Sequence, residues 1–124
     1  MAEAISAGII GLGAGIPDGV ITNADLEKMV DTSDEWIRTR SGIRERRIAP
    51  PEMGASTLGL IAAREALADA GITGEDLDLI VVATISPDMI FPSTSCLLQH
   101  RLGAKKAAAF DLSAGCSGFI YGLA

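Results

Sequence analysis

The stretch from Ala107 to Leu123 constrains this chain more than any other. Ala107 to Leu112 is a short apolar run that reads as a buried strand. Ser113, Ala114 and Gly115 then permit a tight turn into a new helix, so Cys116 falls at a strand-to-helix corner. A helix start presents unpaired N–H groups and a partial positive charge, which favours a thiolate and offers donors to a developing oxyanion. Those are the requirements of covalent acyl transfer. Local chemistry alone equally admits a small buried hydrophobe in a Gly-rich helix start.

Composition narrows the surroundings of that corner. Hydrophobic residues make up 48% of the chain, aromatics only 4%, and there are 14 glycines, a balance that suits an aliphatic α/β core with tight turns. The net charge of −6 argues against nucleic-acid or anionic-membrane binding. Five of the ten basic residues nevertheless fall between Arg38 and Arg47, which suggests either a small phosphate-bearing ligand or a solvated charged face. Cys96 and Cys116 show no metal spacing, and one His adds too few ligands, so no metal is expected and a reducing compartment is. No apolar span reaches the roughly 20 residues that cross a bilayer, and no cationic leader is visible; a cytoplasmic protein without membrane attachment is expected.

Along the chain, Ile5 to Leu12 reads as a buried first strand and Pro17-Asp18-Gly19 as a turn. Gly11, Gly13 and Gly15 miss the dinucleotide spacing, and Pro17 interrupts the helix that would follow a phosphate loop. Thr22 with Asp25, then Leu26, Met29 and Val30, marks a short capped helix. A second helix begins at Thr32 or Ser33, with Asp34 and Glu35 in its first turn, Arg38 and Arg40 in its last, and Gly42 as its stop. That places Trp36 and Arg40 four apart on one face, where an indole and a guanidinium could sandwich a flat base and meet phosphate; an interfacial Trp beside an ordinary ion pair is the plainer alternative. Ile43 to Ile48 reads as an exposed strand, and Ser56 to Ala70 as a long helix with Arg64, Glu65 and Asp69 in one sector. Leu77 to Ile85 reads as a central strand with both faces buried. Pro92 opens a helix to Leu102 that carries Cys96, expected to pack, and His100, expected to cap or face water rather than serve Cys116 as a base. This order predicts a mainly parallel sheet covered on both faces.

The run Ala-Phe-Asp-Leu-Ser-Ala-Gly-Cys-Ser-Gly-Phe, residues 109 to 119, resembles the nucleophile segment of thiolase-like condensing enzymes. Residues Asp31 to Arg46 resemble the coenzyme A-binding signature of the β-ketoacyl-ACP synthase III family. The resemblance implies an α/β thiolase-like fold of α-β-α-β-α layers with a mainly parallel mixed sheet, of which residues 1–124 would be the N-terminal half, the C-terminal half being absent. It implies the condensation that initiates fatty acid biosynthesis: Cys116 takes an acyl group from acyl-CoA, and malonyl-ACP loses carbon dioxide and attacks the thioester. By the same resemblance Trp36, Arg40 and Thr32 would bind coenzyme A, and Phe91 would reach across a homodimer interface into the partner's acyl pocket. Acyl-CoA is then a substrate, with no resident cofactor. Malonyl-acyl carrier protein, a second copy and the remaining half are the implied partners. The family's His and Asn lie further along, so this segment alone would be inactive. Alternatives are a relative that primes polyketide or quinolone synthesis, or a non-catalytic CoA-binding or subunit-pairing fragment.

Overall fold

A computed structural model describes residues 7–124, which divide into two compact units. The smaller is Ile16–Met53; the larger is Gly54–Ala124 together with the described residues up to Gly15.

In the smaller unit β1 (Gly19–Thr22) leads into α1 (Asn23–Leu26), followed by α2 (Asp34–Ser41) and β2 (Glu45–Ile48). The strands pair antiparallel, from Gly19 opposite Ile48 to Thr22 opposite Glu45. The expected turn at Pro17-Asp18-Gly19 therefore passes directly into a strand that is too short to announce itself by periodicity. Thr22 caps α1 in a reciprocal box with Asp25, whose carboxyl is held down at about 2, first by the hydrogen bond from the Thr22 hydroxyl and then by that from its backbone. Ser33 caps α2 by accepting from the Trp36 N–H at 3.1 Å. Gly42 ends it at φ 74°, which an L side chain rarely adopts.

The larger unit contains α3 (Ala55–Ala70), β3 (Leu79–Ala83), α4 (Thr94–Leu102), β4 (Ala108–Leu112) and α5 (Gly118–Leu123). β3 and β4 are parallel, Leu79 opposite Ala108 through Ala83 opposite Leu112, and α4 forms the crossover. The expected helix start at Pro92 moves to Thr94 because Ser93 takes the cap position, accepting from the Cys96 N–H. The expected central strand shortens, and its two faces are not both buried: Leu79 remains 51% exposed.

Of the strand expected over Ile5 to Leu12, Ile5 and Ser6 lie outside the described residues, and 7–12 pair with no strand among the described ones. The segment lies along α3 instead. A side chain at Gly11, Gly13 or Gly15 would strike the carbonyl of Ala66, Ala62 or Leu58 respectively. Two residues of extended chain advance about 6.6 Å and four residues of helix about 6 Å, so alternate glycines meet successive turns. Between them, the N–H groups of Leu12 and Ala14 donate to Asp69 at 2.9 Å and Glu65 at 2.7 Å. The acidic sector of α3 thus anchors the glycine segment, and those N–H groups are already committed to carboxylates.

Candidate functional site

Cys116 sits in a single helical turn, Gly115–Ser117, between β4 and α5. The Thr84 N–H donates to the Leu112 carbonyl at 3.2 Å, extending the β3–β4 ladder to the corner. Gly115 turns at φ 52°, and the Ser117 N–H closes the turn on the Ala114 carbonyl at 3.1 Å. Gly118 is buried where a Cβ would collide with Ala83, so α5 can start flush against β3. The result is an exposed thiol on a backbone braced from both sides. Cys116 therefore precedes the helix by one short turn rather than occupying its first residue. Cys96 is half-buried on α4, its sulfur 3.1 Å from the donating Ser93 hydroxyl, and His100 is exposed in the last turn of the same helix. Among the described residues no His, Cys, Asp and Glu cluster could hold a metal.

Asp111, on β4, grips the start of α4. Its two carboxylate oxygens accept from the Thr94 N–H at 2.9 Å and the Ser95 N–H at 2.8 Å. Burial pulls this carboxyl upward, but the hydrogen bonds from Ser95 and Thr94 outweigh it and leave it below the usual carboxylate value. Sequence reasoning passed over Asp111, although a lone acid in an apolar strand was a signal that something buried needs an acceptor. A cavity of about 490 Å³ opens here, lined among others by Ile85, Phe91, Cys96, Asp111 and Ser113. Phe91 is 87% exposed on the loop leading into α4.

The second candidate centre lies wholly within Ile16–Met53. Thr32 and Trp36, with Asp31 and Ser33, line a cavity of about 390 Å³ at the start of α2. The Arg40 guanidinium stacks on the Trp36 ring, 4.8 Å from its centre. A base held between them would need about 7 Å, two van der Waals contacts, so the pair does not bracket an open slot in this structure. The other arginines of the basic run differ in use. Arg38 pairs with Asp34 at 3.1 Å, Arg47 reaches the Pro17 carbonyl at 3.4 Å, and Arg44 is exposed. Arg46 turns inward, donating to the Ile21 carbonyl at 3.2 Å and to the Asn23 side-chain oxygen at 2.8 Å.

Asn23, 1% exposed, is the polar centre of this unit. Its amide nitrogen donates to Asp34 at 2.8 Å and to the Ile43 carbonyl at 2.9 Å. Its backbone N–H donates to the Arg44 carbonyl at 3.2 Å, and its own carbonyl accepts from the Glu27 N–H at 3.0 Å. The bond from Asn23, followed by that from Arg38, keeps the Asp34 carboxyl below its ordinary value. Sequence reasoning missed this residue as well. The available signal was an Asn inside the first turn of a helix already capped by Thr22, a position asparagine does not favour without another reason.

No family model matches the chain. It is 62% identical over 124 residues to the β-ketoacyl-[acyl-carrier-protein] synthase III of Caldanaerobacter subterraneus, covering 100% of this chain and 38% of that protein. It is 60% identical over 119 residues to the synthase III of Bacillus pumilus, covering 96% of this chain and again 38% of the relative. The fold superposes on the 3-oxoacyl-[acyl-carrier-protein] synthase III of Aquifex aeolicus with a TM-score of 0.89 at 56% identity, over 95% of this chain and 38% of that one. The priming β-ketosynthase of the R1128 polyketide pathway gives a TM-score of 0.87 at 40% identity, over 93% of this chain and 34% of that one. The chain thus spans under two fifths of the length of the relatives it matches. Among the described residues no helix is long and apolar enough to cross a membrane.

Proposed function

Because the chain belongs to the β-ketoacyl-ACP synthase III family, with an α/β thiolase-like fold over the segment it shares, we propose that it carries the nucleophile and the nucleotide-binding unit of such an enzyme. The observation that carries this is the exposed Cys116 thiol held at the β4–α5 corner.

The Cys116 thiolate attacks the acyl-CoA carbonyl; the tetrahedral oxyanion collapses, the C–S bond to coenzyme A breaks, and the acyl group is left on the cysteine. Malonyl-ACP then loses carbon dioxide, and the resulting carbanion attacks the acyl-cysteine, returning its sulfur as thiolate. A thioester keeps its carbonyl electrophilic, which is why sulfur suits a step in which carbon is the attacker. Groups that stabilise the carbanion belong to the remainder of the enzyme. Trp36, Arg40 and Thr32 hold the nucleotide end of acyl-CoA, with the base on the indole face that Arg40 leaves open or in place of Arg40. Acyl-CoA serves as substrate, and no resident cofactor takes part. Phe91, on an exposed loop beside the cavity under β4, shapes a primer pocket across a twofold interface with a second copy. The site would work in the cytoplasm with an acyl carrier protein as partner. Likeness to the R1128 enzyme supports a second reading, priming of polyketide synthesis, which a panel of acyl donors separates from the first.

Incubation of the complete enzyme with radiolabelled acetyl-CoA, followed by peptide mapping, is expected to place the label on Cys116 and to lose it in Cys116→Ala. Label on Cys96, or label retained in Cys116→Ala, would overturn the assignment.

A further inference from the structure

We propose that Asn23 is a positioning residue for nucleotide recognition: its buried amide ties Asp34, the Ile43 carbonyl and Arg46 together, and so fixes the helix that presents Trp36 and Arg40.

The geometry admits one side chain. Both amide hydrogens are used, toward Asp34 at 2.8 Å and the Ile43 carbonyl at 2.9 Å, while the oxygen faces the Arg46 guanidinium at 2.8 Å. Turning the amide over would set its NH2 against a guanidinium and its oxygen against a carboxylate and a carbonyl. Aspartate could satisfy Arg46 but would set a second carboxylate against Asp34. An apolar isostere would take from Asp34, the Ile43 carbonyl and Arg46 the partner that joins them, and leave nothing polar at the buried position 23 to replace it.

These ties meet α2 at both ends. Asp34 is the first residue of α2, and its own N–H is held by Glu27 at 2.6 Å. Ile43 follows the Gly42 stop, so its carbonyl marks where the helix exits. Asn23 thus spans the entry and exit of an eight-residue helix whose outer face carries Trp36 and Arg40. Arg46 ties the same amide to β2, and its second donation reaches β1 at Ile21. Helix propensity alone leaves so short a helix marginal. Its orientation therefore depends on these contacts, and the precision of a binding site depends on the shell that supports it.

The proposal rests on the reading that α2 holds the nucleotide, and the experiment separates the two. In the complete enzyme, steady-state kinetics with acetyl-CoA are measured for Asn23→Asp, Arg46→Lys, the double variant Asn23→Asp/Asp34→Asn, and Trp36→Ala, alongside melting temperature and the rate of Cys116 alkylation by iodoacetamide. Asn23→Asp is expected to raise KM for acetyl-CoA roughly tenfold with kcat and alkylation unchanged. In the double variant the amide and the carboxylate exchange places, so the donor–acceptor pair between the two positions is restored while the Ile43 carbonyl stays without its donor, and KM recovers only part of the way to the parent. Losing the Arg38 pair in that variant costs little, since the pair is solvent-exposed. Arg46→Lys keeps the charge but loses the fork, raises KM by a smaller factor, and decides the matter if Asn23→Asp does not fold. If Trp36→Ala raises KM while Asn23→Asp and Arg46→Lys do not, or if they lower kcat, alkylation and melting temperature together without rescue, Asn23 is only a packing residue and the proposal fails. If Trp36→Ala leaves KM unchanged, the reading of α2 fails and takes this proposal with it.

Discussion

Asp111 shows how a single side chain can brace the Cys116 corner without touching it. Its carboxylate joins the strand that ends beside Cys116 to the first turn of α4, through bonds of 2.9 Å and 2.8 Å. The partner residues Thr94 and Ser95 are fully buried, so no water stands ready to replace the acceptor. Asn at this position would keep one oxygen and turn an NH2 toward an N–H. Asp111→Asn is expected to destabilise the complete enzyme by about 2 kcal/mol, read as a shift in urea midpoint at neutral pH. The dependence on pH follows from the direction of the shift. A carboxyl held below its ordinary 3.8 contributes stability that is fully present above that value and is lost as pH falls through the lower, folded value. The gap between parent and variant should therefore be constant from neutrality to about pH 5 and narrow below pH 4. A gap that stayed constant under acid would mean that Asp111 acts through shape rather than charge.

At the level of elements, the glycine segment on α3 gives a sharp contrast between neighbouring positions. Gly13→Ala places a methyl against the Ala62 carbonyl, whereas the same change at Gly8 meets nothing within 4 Å. The first is expected to cost about 1–3 kcal/mol, and the second to lie within about 0.5 kcal/mol of the parent, by thermal unfolding of the complete enzyme. A Gly13→Ala enzyme of unchanged stability but weakened acetyl-CoA binding would restore the nucleotide-loop interpretation. The same segment shows where local sequence stops being informative. Helices were legible because their caps are local: Thr22 with Asp25, Ser33, Gly42, Gly71 and Gly103 stand where the helices begin or end. β1 was not, because Gly19–Thr22 becomes a strand only by pairing with residues near 47. The partner of residues 7–15 is a helix surface whose carbonyls no pattern of apolar residues encodes. At the candidate sites, Cys116 and Trp36 stood out as candidates from motif and chemistry, while Asn23 and Asp111 did not, since their meaning lies in partners 11 to 23 residues away in one case and 16 to 17 in the other.

For the molecule as a whole, burial is inverted relative to an ordinary soluble domain. Among the described residues the largest fully buried side chains are Asn23, Thr94 and Ser95, whereas Ile85, Phe91, Phe119, Ile120 and Tyr121 are each more than 60% exposed. On β3, β4 and α5 themselves, Leu79, Phe110, Phe119, Ile120, Tyr121 and Leu123 are also exposed, and apolar surface of this kind marks a place where a soluble protein meets a partner. Expressed alone, residues 1–124 are expected to self-associate and to show no condensation of acyl-CoA with malonyl-ACP; adding the rest of the enzyme in trans should reduce the association. Light scattering with a condensation assay checks both, and a monodisperse, fully active monomer would contradict them.

The boundary between the two units has a further consequence. The chain leaves the larger unit at Gly15, whose Cα lies against the carbonyl of Leu58, and re-enters it at Gly54, whose carbonyl accepts from the Leu58 N–H at 3.2 Å. Departure and return share one turn of one helix. Residues 16–53 are thus an excursion with pinned ends, topologically a cassette: its interior can be lengthened, exchanged or redrawn without altering the path of the strands that carry the thiol. Under the proposed function, selection on how a substrate's handle is gripped and selection on how its acyl end reacts would then proceed on separate stretches of the gene.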